Sequence, residues 1–113
     1  MGLVKSFYKL SAPDSMTISV IKGYRVFKNE YPDMSDNDIF HEIIKVRYTK
    51  EQDRSIYEVI FYRIGSYKSL YDLIIEMLIH ESRDFATLPS ENQLPIKKAV
   101  KDLLRKEGLQ VDE

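Results

Sequence analysis

Apolar side chains recur at spacings of three and four along most of the chain, the period of a helix with one face turned inward. Met16, Val20, Tyr24, Phe27 and Tyr31 keep this spacing. They predict a first helix from Ser15 to about Tyr31, capped by the Ser15 hydroxyl and ended by Pro32. Gly23 inside it weakens the helix by roughly 1 kcal/mol against alanine. Residues 1–14 then read as an N-terminal arm.

Ser35 followed by Asp36-Asn37-Asp38 gives a cap and acidic residues at the positive end of a second helix, with Ile39, Phe40, Ile43, Ile44 and Arg47 on one face. A third helix is expected from Thr49, with Gln52 completing a capping box, through Ile56, Tyr57, Ile60, Phe61 and Ile64 to a stop at Gly65. The fourth follows Ser66 or Ser69. Only Asp72, Glu76 and His80 give the segment from Leu70 to His80 a polar stripe, so a central position is expected. Residues 83–94 read as a loop tacked down by Phe85 and Leu88. Pro95 suits the first position of a fifth helix carrying Ile96, Ala99, Val100, Leu103 and Leu104, with Gly108 as its stop and residues 109–113 as a frayed tail.

The pattern therefore predicts an all-α protein, a compact bundle of about five helices forming a single domain over residues 15–108. An α+β alternative places a small hairpin or strand at residues 17–27, turning at Lys22-Gly23, and at residues 56–64, which are rich in β-branched and aromatic side chains. The flanking caps favour helices.

Composition narrows the partners more than the fold. With 113 residues and 43% apolar content the chain can fill one core. It has no cysteine, which removes disulfides and thiolate metal sites and suits a reducing, cytoplasmic location. The apolar run Leu73 to Ile79 is short and holds Glu76, whereas a membrane span needs about 20 apolar residues. Lys5 and Lys9 break any secretory signal, while Met1-Gly2-Leu3-Val4-Lys5-Ser6 fits the short N-myristoylation pattern.

Catalytic chemistry has one candidate. Glu76 and His80 are four apart, adjacent on a helix, and Asp84 could extend the cluster. A carboxylate beside an imidazole orients it for general-base work. The other histidine, His41, is expected on another helix. His41-Glu42 lacks the second histidine of the zinc-protease pattern, because Lys45 stands in its place. No glycine-rich phosphate loop, nucleophile elbow or cofactor motif is present, so no cofactor, no metal and no enzymatic activity are expected.

Two binding surfaces remain. Lys97, Lys98, Lys101 and Arg105 line the solvent side of the last helix, with Lys106 beside them, a stripe able to neutralise nucleic-acid phosphates. The net charge of −1 argues against a dedicated nucleic-acid binder, although residues 1–31 carry five cations against two acids. The junction of the second and third helices is also poor in the glycine and amide residues of a helix-turn-helix.

The second surface lies on helices three and four, which carry more apolar side chains than one core face requires. Val59 and Tyr62 point away from the Ile56, Tyr57, Ile60 and Ile64 side, and Tyr67 and Tyr71 follow. Arg47 and Asp53 are expected to pair across the turn between helices two and three. The leading expectation is a small protein-interaction module, an adaptor, regulator or immunity-type partner, self-associating as a homodimer through Val59, Tyr62, Tyr67 and Tyr71. Nucleic-acid binding by the last helix is the alternative.

Overall fold

The computed structural model describes residues 2–111, with side chains from Asp14 onward. Met1 of the myristoylation pattern, and Asp112 and Glu113 of the expected tail, lie outside the described residues. Six helices follow one another: α1 (Gly2–Glu30), α2 (Asp36–Arg47), α3 (Arg54–Arg63), α4 (Leu70–Glu81), α5 (Arg83–Ala86) and α6 (Ser90–Lys106). Short 3-10 turns at Glu51–Asp53 and Ile64–Ser66 flank α3. No strand occurs among the described residues, and both segments of the α+β alternative are helical. No helix among them is long and apolar enough to cross a membrane.

One core joins the helices. Met16, Val20 and Ile21 of α1 meet Ile39, Phe40, Ile43 and Ile44 of α2 in it, and α6 adds Val100 and Leu104. The central place expected for the fourth helix is observed. α4 buries Leu70, Leu73, Ile74, Met77 and Leu78, and it touches α1, α3, α5 and α6. Burying such side chains contributes about 1.5–3 kcal/mol each. By contrast, α3 buries only Ile60.

The start of α2 matches its sequence signal, because Ser35 Oγ accepts from the Asp38 amide at 3.2 Å. Gly108 likewise ends α6 as expected. It adopts φ +78°, and the Leu109 amide donates to Leu104 O at 2.9 Å while the Gly108 amide donates to Arg105 O at 2.9 Å. This is the Schellman arrangement, which requires a left-handed residue and so favours glycine.

Four expectations are corrected. The first helix begins at Gly2, so Ser15 is an interior residue and no cap; Pro13 does not interrupt the element. Thr49 does not cap the third helix. Gln52 is spent in the 3-10 turn one step before α3, so the reciprocal cap cannot close. Gly65 has no positive φ; the chain leaves α3 through a 3-10 turn in which Ser66 Oγ donates to Arg63 O at 2.7 Å. The loop expected over 83–94 contains α5 and the first turn of α6. Pro95 is therefore the sixth residue of α6. It and Glu91 are both exposed, so the carbonyl that loses its helical donor is open to water. Phe85 does tack this segment down, being buried, and Gln93 Nε2 donates to Phe85 O at 3.2 Å and Leu88 O at 3.1 Å.

Beyond Gly108 the chain does not simply fray. Leu109 and Val111 pack half-buried against the core. Arg25 of α1 reaches this end of α6, donating through Nη1 to Glu107 Oε1 at 2.7 Å and through Nη2 to the Glu107 carbonyl.

Candidate interaction surface

Because α3 buries one side chain, most of its circumference faces water. Tyr62 is 81% exposed, and Val59 and Phe61 are each 39% exposed. Tyr67 and Tyr71 are half-buried against the core instead. Burial holds both phenols above their usual range, for Tyr67 with the Glu76 carboxylate as a smaller cause and for Tyr71 with Asp72. The expected set of four tyrosine and valine contacts thus divides, with Val59 and Tyr62 at the surface.

An aromatic cluster continues from this surface toward α2. Tyr62 meets Phe61 edge-on with ring centroids 5.5 Å apart, and Phe61 stacks on Tyr57 at 5.8 Å. The His41 ring of α2 lies 4.7 Å from Phe61, and its Nε2 is 3.0 Å from the Tyr57 hydroxyl. Sequence spacing shows Tyr57 and Phe61 as neighbours four apart, but nothing local brings His41 to them.

The catalytic candidate resolves into an ion-pair network. Glu76 takes Arg63 Nη1 on both carboxylate oxygens at 3.1 Å, and His80 Nε2 contacts the same carboxylate at 3.1 Å. The carboxylate is thereby shared between α3 and α4, and its first partner is a guanidinium that never loses its charge. Asp84 lies on α5, a separate helix. No group of three or more potential metal ligands occurs among the described residues.

The basic stripe of α6 is partly answered from within. Lys98 Nζ lies 3.0 Å from Asp102, Arg105 Nη1 lies 3.9 Å from the same carboxyl group, and Lys101 sits over the Tyr71 ring at 5.0 Å. Lys97 is half-buried. The expected Arg47–Asp53 pair is also corrected. Arg47 instead forms a two-point contact with Glu81 of α4, through Nε at 2.6 Å and Nη2 at 2.9 Å. Reading α2 and α3 as adjacent in sequence favoured the nearest acid, whereas packing of α4 supplies the true one. Comparison with protein-family models, curated proteins and solved structures returns no match.

Proposed function

We propose that the chain is a small protein-interaction module, of the adaptor, regulator or immunity-partner kind, which pairs with a second copy of itself through α3. The observation that carries this reading is the exposed, uncharged stripe of Ser55, Val59 and Tyr62 along α3, which buries one side chain, continued by Ser66 in the 3-10 turn that follows. Its order is symmetric. A two-fold axis passing between Val59 and Tyr62 sets each Val59 level with Tyr62 of the other copy, and each Ser55 level with Ser66. An isologous contact demands such self-complementarity. A stripe without charge also spares an identical copy the like-charge repulsion that a lysine or glutamate row would impose. Exposed tyrosine supplies large, stiff contact area for such an interface.

The α6 stripe supports the nucleic-acid alternative less well, because Asp102 stands inside it.

Size-exclusion chromatography with light scattering tests the reading. The expected mass is twice that of the 13.3 kDa chain. Tyr62→Asp combined with Val59→Asp is expected to return a folded monomer. A wild-type monomer at about 0.1 mM, roughly a hundredfold above a micromolar Kd, overturns self-association. A dimer that survives both substitutions overturns the α3 assignment.

A further inference from the structure

The elbow between α2 and α3 forms an open cleft of about 550 Å³, lined on α3 by Arg54, Tyr57 and Glu58. Three cations reach it: Lys45 from the end of α2, Lys50 from the connection and Arg54 from the first turn of α3. Lys50 has no ion-pair partner among the described residues, and Lys45 holds Glu42 at a long 3.4 Å. Arg54 uses only Nε on Glu58, at 3.1 Å, which leaves the Nη edge of its guanidinium available for a second, two-point contact. Thr49 and Tyr57 line the same space, the Tyr57 hydroxyl being held 3.0 Å from His41 Nε2. The floor is held in place, because Tyr48 donates its hydroxyl to Glu81, the carboxylate that Arg47 grips.

We infer that this cleft binds the phosphate group of a small phosphate monoester. A phosphate carries about −1.5 to −2 charges at neutral pH and three acceptor oxygens, a match for two ammonium groups and a free guanidinium edge. The ring of Tyr57 gives the organic part of the ester an apolar wall. Glu51 and Glu58, also lining the cleft, offer acceptors for hydroxyl or amine groups on that part.

Other clefts suit an anion less. The one of about 210 Å³ beside α4 contains the buried, unpartnered Ser69 hydroxyl. Its one lining cation, Lys68, is balanced by Asp36, whereas the elbow cleft sets three cations against Glu51 and Glu58 and keeps a net positive charge. On α6, Lys98 and Arg105 both face Asp102.

The test is a backbone-amide magnetic resonance titration of the full chain with phenyl phosphate and, separately, inorganic phosphate. Saturable shifts confined to residues 45–58, tighter for phenyl phosphate, are expected. Lys45→Glu with Lys50→Glu, both at exposed positions, is expected to weaken binding at least about tenfold, the effect of losing one charged hydrogen bond. Lys98→Glu, on the far helix, is expected to change it less than about twofold, as for a distant, screened charge. Absence of saturable shifts up to about 10 mM ligand, weaker than any specific small-ligand site of use, overturns the site. An equal loss in Lys98→Glu shows diffuse charge attraction and overturns it as well. Equal affinity for both ligands removes the role of Tyr57.

Discussion

Arg47 and Glu81 stand 34 positions apart in the chain and meet side by side, Nε to Oε2 at 2.6 Å and Nη2 to Oε1 at 2.9 Å. Tyr48 adds its hydroxyl to the same carboxylate. The contact locks the C-terminal end of α2 to the C-terminal end of α4. Its two positive charges in the last turns, Lys45 and Arg47, also complement the negative end of the α2 dipole.

A double-mutant cycle on this pair, Arg47→Ala and Glu81→Ala, is expected to show a coupling of about 1–2 kcal/mol. That exceeds the 0.2–1 kcal/mol of open surface pairs, because both side chains are less than one-third exposed and the geometry is two-pronged. Urea denaturation of the four proteins measures it. Additive single effects would show that the pair is ornamental to stability.

Gly23→Ala is expected to stabilise the protein. Gly23 lies inside α1 with no positive φ, and an added Cβ would stand 3.8 Å from Ile43 Cγ1, an ordinary van der Waals distance. The gain should approach 1 kcal/mol, or about 4–8 °C in Tm for a domain this size. A lower Tm in differential scanning calorimetry would mean that α1 and α2 cannot accommodate the methyl group.

Leu73 and Tyr62 should separate stability from association. Leu73 is fully buried in α4, so Leu73→Ala is expected to lose about 2–5 kcal/mol on thermal or urea unfolding. Tyr62→Ala leaves no cavity and should stay within about 0.5 kcal/mol for the folded chain at low concentration. Large destabilisation by Tyr62→Ala in a dilute, monomeric sample would place its ring in the monomer's own packing.

Alkali should weaken the fold through its buried phenols. Burial first, then the Asp36 carboxylate that accepts the Tyr24 hydroxyl at 3.0 Å, pushes the Tyr24 phenol up from 10.0 to about 12. A group with its folded pKa raised contributes stability fully below its unfolded pKa and loses it as the folded value is passed. Unfolding free energy is therefore expected to fall between pH 10 and pH 12, with Tyr48 and Tyr67, whose phenols burial also holds high, falling in the same direction. Tyr24→Phe should flatten part of that slope. An unchanged slope would assign the loss to the other tyrosines.

What the sequence made legible was local. The stripes Ile39–Phe40–Ile43–Ile44 and Leu73–Ile74–Met77–Leu78 are buried where helical period alone puts them, and Ser35 and Gly108 act through hydrogen bonds a few residues away. Errors arose where a residue had two local uses. Pro95 suits a first helical position, yet Pro89-Ser90-Glu91 begins the helix one and a half turns earlier. Gln52 suits a capping box but is consumed by a turn. Side chains whose partners come from distant helices were illegible for a different reason. Arg47 selects Glu81, His41 meets Phe61, and Tyr71 lies under Lys101, all through packing that no window of neighbouring residues contains.

The grip of Arg25 on Glu107 has a consequence for synthesis. α1 is synthesised before α6, yet α6 is its main neighbour in the fold. Until Val100 and Leu104 have emerged, Val20 and Ile21 lack part of their apolar cover, and α4 lacks one of its walls. A nascent chain halted near residue 95 therefore holds an open core, and closure waits for the final helix to return to the first.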